Sequence, residues 1–249
     1  MSSIPNLLKL KDYITLIGTS LGIIALICAC IDGSEFLSLG FFLISIALGV
    51  DLIDGYIARK THTVNEIGRE LDSLSDSLTF GITPAVLTFQ AFKLGGIFDI
   101  FIIIGSICFT LGAILRLARF NISGGSGYTG VPTPVSALLM IVYFYANYFY
   151  AFAIGDFPEI ASYLIPFVMI LVGWFNITTY ISFREKDKAI YLTFIIVAPL
   201  CPILGIIGIL NPNFLISIII SIFFLCSFLL GIAVIIRGFF LQFKRISET

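Results

Sequence analysis

The stretch that decides the fold is Phe36–Asp76, FLSLGFFLISIALGVDLIDGYIARKTHTVNEIGRELDSLSD. It opens on an uncharged run, then places aspartates at 51, 54, 72 and 76. A bilayer-crossing helix needs about 20 mainly apolar residues, and the run from Phe36 to Ala58 supplies that length. Asp51 and Asp54 fall three apart near the end of this helix, about 60° apart around its axis. Asp72 and Asp76 fall four apart, about 40° apart, at the start of the next one. Each pair therefore shares a helical face. The short polar connection lets the two helices run antiparallel, so the pairs face each other near one membrane boundary.

Working outward, the rest of the chain supports a membrane setting. Of 249 residues, 59% are hydrophobic and only 12% charged, and the mean hydropathy is +1.09. A soluble domain carries about twice that charged fraction. The apolar runs predict eight spanning helices, at about 13–31, 36–58, 73–92, 97–118, 134–153, 160–181, 189–209 and 214–237. The third is the most polar at its start. The expectation is an all-α, polytopic transmembrane helical bundle, with residues 1–249 as one integral-membrane domain. Its core would cover about 11–181, with extra C-terminal helices at about 189–237. No internal repeat is evident. The polar N-terminus, Met1–Lys11, lacks a cleavable secretory pattern.

With eight helices, thirteen of the fourteen Lys and Arg fall on one side, leaving only Lys93 opposite. Asp32, Glu35, Asp156 and Glu159 occupy the other side's loops. Basic residues mark the cytoplasmic side, so both termini and the 59–72 loop are expected in the cytoplasm. A net charge of -1 and the lack of a basic face give no footprint for nucleic acid. Cys28, Cys30, Cys108, Cys201 and Cys226 lie in apolar stretches without zinc or redox spacing, and are read as small packing residues.

Carboxylates inside a membrane are costly, and crowding them adds repulsion. A hard divalent cation such as Mg²⁺ or Mn²⁺, which prefers oxygen ligands, offsets both costs. Asp51, Asp54, Asp72 and Asp76 are thus candidate metal ligands. Gly55 and Ala58 share the Asp51 face, and Gly68 lies one turn before Asp72. Such small residues permit either close helix packing or a ligand's approach to the backbone. Arg59 would meet a phosphate or a base, or else snorkel as a topology anchor. His62 reads as a solvated loop residue.

Taken together, Asp51-x2-Asp54-Gly55-x2-Ala58-Arg59-x8-Gly68-x3-Asp72-x3-Asp76 resembles the full signature of the CDP-alcohol phosphatidyltransferase family. The resemblance implies two divalent ions, Mg²⁺ or Mn²⁺, and a CDP-linked lipid whose lipid-side phosphate is attacked by an alcohol as CMP leaves. It implies that Asp51, Asp54 and Asp72 bind metal. Asp76 would touch metal and act as general base, and Gly55, Ala58, Arg59 and Gly68 would frame the nucleotide. A homodimer is also implied. Elementary chemistry agrees: a diphosphate leaving group needs its charge neutralised, and a hydroxyl nucleophile benefits from a base.

Arg116–Pro134, RLARFNISGGSGYTGVPTP, is the second informative stretch. Arg116 and Arg119 either anchor the topology or bind phosphate or carboxylate of the acceptor, for which the planar guanidinium is suited. With DSLTFGITPA at 76–85, this stretch resembles the phosphatidylserine synthase branch of the family, in its bacterial and archaeal form, and L-serine becomes the expected acceptor. KDYITLIGTSLG at 11–22 is similar to that branch as well, with Thr15 or Thr19 lining the nucleotide pocket. Three alternatives stand beside this reading. One is the same chemistry with glycerol phosphate or inositol phosphate as acceptor. Another is an intramembrane prenyltransferase, which would lack the Gly-x2-Ala-Arg spacing. The third is a divalent-cation transporter, which would need ionisable residues along the later helices, and those are nearly charge-free.

Overall fold

The computed structural model describes residues 7–61, 66–122, 129–180, 188–210 and 213–247. Among them the chain forms α1 (Leu10–Cys28), α2 (Ser34–Thr61), α3 (Glu66–Asp76), a π-helical segment (Ser77–Ile82), α4 (Thr83–Phe92), α5 (Asp99–Ile122), α6 (Thr133–Ile154), α7 (Glu159–Ile177), α8 (Lys188–Leu210) and α9 (Phe214–Ser247). The all-helical expectation holds. Among the described residues, six stretches are long and apolar enough to cross a bilayer: Leu10–Cys28, Ser34–Ile57, Asp99–Ile122, Thr133–Ile154, Glu159–Ile177 and Phe214–Phe240. Phe194–Leu210, within α8, is a shorter apolar helix.

The third expected span, 73–92, has a different construction. Glu66–Phe92 is one continuous helical path, but its regular hydrogen bonding is interrupted between Asp76 and Thr83. Pro84 sits in the first turn of α4. It has no N–H to donate and its ring crowds the carbonyl four residues back. The chain responds with a wider turn: the Thr83 N–H reaches Leu78 O, five residues back. The Thr83 hydroxyl donates to the same carbonyl at 2.9 Å. Such π-bulges concentrate at functional sites, and this one begins at the residue after Asp76.

The core is organised around α6. Every residue from Ser136 to Ala146 is buried, as expected of a helix that is apolar all round. Phe144 stacks on Phe41 of α2 with ring centroids 4.1 Å apart, and Tyr145 stacks on Phe224 of α9 at 5.2 Å. Gly155, with φ +98°, ends α6 in the left-handed conformation. Helices α5 and α7 pack through glycine. A Cβ at Gly112 would lie 2.8 Å from Gly173 Cα, and one at Gly173 would lie 2.5 Å from Cys108 O. Backbone contact of this kind is how spanning helices associate in lipid, where there is no hydrophobic drive between them.

The outer faces carry large apolar side chains, among them Ile103, Ile107 and Leu111 on α5 and Leu225 and Leu229 on α9. An exposed apolar surface this extensive belongs in lipid rather than water, and the chain is an integral membrane protein. All five cysteines are free. Cys28 and Cys201 are packed as expected, whereas Cys30 and Cys226 are exposed on the apolar surface.

Candidate active site

The antiparallel arrangement of α2 and α3 brings the carboxylates of Asp51, Asp72 and Asp76 together. One oxygen from each lies within 4.8 Å of the other two. Asp51 stands on α2 before its final turns, and Asp72 and Asp76 are one turn apart on α3. The charges of Asp51, Asp72 and Asp54 all act on Asp76, opposed by that of Arg116. Three half-buried carboxylates at this separation repel one another strongly. The oxygen-only donor set is the one that Mg²⁺ or Mn²⁺ prefers, so these residues fit the divalent ions that the family signature implies.

Asp54 is placed beside this trio rather than within it. It is buried, and its Oδ2 accepts a 2.8 Å hydrogen bond from Thr15 Oγ1 on α1. Thr19, one turn further along α1, shares a 2.6 Å hydrogen bond with Ser75 of α3. Helix α1 therefore clamps both acid-bearing helices. Close approach at Gly22 completes the clamp, where a Cβ would lie 3.0 Å from Thr79 Cβ in the π segment. Gly55 is half-buried and Gly68 buried. Ala58 and Arg59 stand in the last turns of α2, with side chains outside the described residues. His62 and Gly124, Gly125 and Gly127 also lie outside them.

Lys11 and Asp12 open the KDYITLIGTSLG run, but the sequence reading gave them no role in the site. Lys11 is only 7% exposed and Asp12 is fully buried. The ammonium lies 2.8 Å from Asp12 Oδ1, and its charge acts on both Asp54 and Asp72. Asp12 Oδ2 also accepts from the Lys9 N–H at 2.7 Å, closing the N-terminus of α1. A buried pair survives desolvation only with further partners, and here the surplus carboxylates supply them. The available sequence signal is the stripe Lys11, Thr15, Gly18, Gly22 and Ala25, all of them buried positions of α1. Read as a topology marker, Lys11 conceals this role.

The two arginines of α5 part ways. Arg116 Nη1 donates to Thr133 Oγ1 at 3.1 Å while its charge reaches Asp76. Arg119 is engaged within the fold. Its Nη1 donates to Ile177 O at 2.7 Å, and its Nη2 to Thr129 O at 2.7 Å and Asn176 O at 3.4 Å. These are the last carbonyls of α7 and the strand of chain entering α6, a common location for a cation at a helix C-terminus. Gly130, φ +81°, lies against the same turn. A third tie joins α3 to α5: Ser73 Oγ donates to Asn121 Oδ1 at 3.0 Å, and Asn121 Nδ2 to Glu70 Oε2 at 3.3 Å.

Comparison with known proteins agrees with this site. The model of the CDP-alcohol phosphatidyltransferase family matches residues 8–180, which contain all of the residues just described. The chain belongs to the CDP-alcohol phosphatidyltransferase family, and is by that membership a transferase of substituted phosphate groups. It is similar to the CDP-diacylglycerol–serine O-phosphatidyltransferase of Methanocaldococcus jannaschii, 32% identical over 232 residues, which is 93% of this chain and 100% of that protein. It is also similar to the archaetidylserine synthase of Methanothermobacter thermautotrophicus, 36% identical over 155 residues, or 59% of this chain and 62% of that one. The corresponding serine O-phosphatidyltransferase of Helicobacter pylori strain J99 is 35% identical over 105 residues, covering 41% of this chain and 44% of the relative.

Proposed function

We propose that this chain transfers the phosphatidyl-type group of a CDP-linked lipid to the hydroxyl of L-serine. The observation that carries the reading is the convergence of Asp51, Asp72 and Asp76 within 4.8 Å, inside a chain of this family. The names of the relatives support serine as acceptor and a CDP-diacylglycerol or CDP-archaeol as donor. The basic residues around α3 and the end of α5 support a site open to the cytoplasm.

In the reaction the serine oxygen bonds to the lipid-side phosphorus. The bond from that phosphorus to the bridging oxygen breaks, and CMP departs with the electron pair. Asp76 receives the hydroxyl proton, acting as general base. Asp51, Asp54 and Asp72, with Asp76, would hold the divalent ions, Mg²⁺ or Mn²⁺, that neutralise the diphosphate. Lys11 offsets the remaining negative charge on the α1 side. Gly55, Ala58, Arg59 and Gly68 frame the nucleotide, and Arg116 presents a cation to the acceptor side of Asp76.

The test is CMP release by the purified chain in lipid, with L-serine, glycerol phosphate or inositol phosphate supplied in turn. Release with serine alone is expected. Failure with serine and success with a phosphorylated alcohol would reassign the acceptor. The Asp76→Asn variant is expected to bind CDP-lipid and metal but not to turn over, and wild-type turnover in it would remove the base assignment.

A further inference from the structure

We infer that Glu70 and Asn121, facing each other across α3 and α5, recognise the ammonium group of the acceptor. This inference rests on the serine reading above and names the specificity determinant of that site. Ser73 and Asp76 lie on one face of α3, and Ser77, the first residue of the π segment, donates from its Oγ to Ser73 O at 2.7 Å. That face meets α5 at two levels. At the outer level, Ser73 and Glu70 hold Asn121. At the inner level, Asp76 lies within the field of Arg116, which Thr133 steadies. The two levels on α3, Ser73 and Asp76, are about 4.5 Å apart along the axis.

The charges run in a definite order along the two facing helices. Arg116, which precedes Asn121 on α5, is the cation at the inner level beside Asp76, and Glu70, which precedes Asp76 on α3, is the anion at the outer level. An amino acid with a side-chain hydroxyl matches this order in one pose. Its carboxylate faces Arg116, its hydroxyl faces Asp76, and its ammonium donates to Asn121 Oδ1 and to the Glu70 carboxylate. A phosphorylated alcohol would meet the wrong charge at the outer level. Glu70 is available for the task. Its side chain is 58% exposed, and its ion pair with the neighbouring Arg69 is a loose surface one at 3.9 Å, which water and a substrate ammonium readily displace. The Nδ2 bond to Glu70 also fixes the Asn121 amide with its oxygen turned toward Ser73, whose hydroxyl donates to it, and the carbonyl oxygen keeps a second lone pair for the acceptor.

A simple interhelical tie would need no carboxylate, and the two roles separate in kinetics. Steady-state CMP release is measured for the full chain in lipid, with Glu70→Gln and Asn121→Ala. Glu70→Gln keeps the shape and still accepts from Asn121, so it guards against a folding defect in the truncation. In both variants the KM for L-serine is expected to rise about 10- to 100-fold, the range of one charge-assisted hydrogen bond. The KM for CDP-lipid and the turnover at saturating serine should stay near wild type. Inhibition by 3-hydroxypropanoate, which has the hydroxyl and carboxylate but no ammonium, should not weaken. An unchanged serine KM in Glu70→Gln overturns the inference, as does an equal weakening toward serine and 3-hydroxypropanoate. Wild-type chain that uses serine while the variants behave as wild type sinks this inference alone. Wild-type chain that does not use serine sinks the acceptor reading and this inference with it.

Discussion

Replacing Thr15 with valine isolates the link between α1 and the acid cluster. Valine keeps the branched shape and removes only the hydroxyl that donates to Asp54 Oδ2 at 2.8 Å. The second contact of that hydroxyl, 3.1 Å to Lys11 O within its own helix, is a local back-bond whose loss costs little. Both Thr15 and Asp54 are buried, so water cannot replace the lost donor. A hydrogen bond to a charged group contributes about 1.5–3 kcal/mol, and about 1.4 kcal/mol is tenfold in an equilibrium constant. The expected weakening is therefore about 10- to 150-fold in whatever Asp54 binds. If Asp54 holds metal, Thr15 is the partner that orients a ligand. Loss of such a partner typically costs 10–100-fold in metal affinity, in agreement with the hydrogen-bond figure. The assay is the initial rate of CMP release at saturating CDP-lipid and serine while Mn²⁺ or Mg²⁺ is titrated. The half-saturating metal concentration should rise by that factor and the maximal rate should return at high metal. Thr15→Ser keeps the donor and should titrate like wild type. An unchanged metal midpoint with a raised KM for CDP-lipid would refute the reasoning and assign the hydroxyl to the nucleotide instead.

Two further substitutions probe the scaffold. Gly112→Ala puts a methyl 2.8 Å from Gly173 Cα, so α5 and α7 must part, at about 1–3 kcal/mol; the thermal midpoint in detergent should fall. Gly49→Ala, where a Cβ meets nothing within 4 Å, should hold or raise that midpoint, and equal losses in the two would contradict the packing account. Arg119→Lys keeps the charge but cannot reach three carbonyls at once, so the thermal midpoint should drop with little change in the KM for serine. The reverse pattern, a raised KM at unchanged stability, would return Arg119 to the substrate.

The spacing of Asp51, Asp54, Asp72 and Asp76 was enough to predict two helical faces meeting near a membrane boundary, because helical periodicity and apolar length are local properties. The structure sharpened that picture at Asp54, whose partner, Thr15, is 39 residues away in the chain. No local rule connects those two positions. The π segment was less legible. Pro84 is visible in the sequence, but whether it ends a helix, kinks it or widens one turn depends on what packs against Gly22 and Thr79. Lys11 was visible as a positive charge on a helix end and as the first residue of the 11–22 run, with no partner assigned to it. Its burial beside Asp12 follows from the placement of α1 against α2 and α3.

What the sequence by itself determined was the class of molecule and its chemistry: a helical membrane protein, of a family whose acids carry fixed spacings. Hydropathy and motif spacing are carried by neighbouring residues and survive without a fold. The tertiary structure alone decided the partners. It drew three aspartates into one cluster and bonded the fourth to Thr15. It turned Arg119 toward the end of α7 while Arg116 stayed near Asp76, and it joined Glu70 to Asn121 across α3 and α5. The physical reason is that charge interactions and hydrogen bonds act over a few ångströms of space, and only helix packing brings residues so distant in the chain within that range.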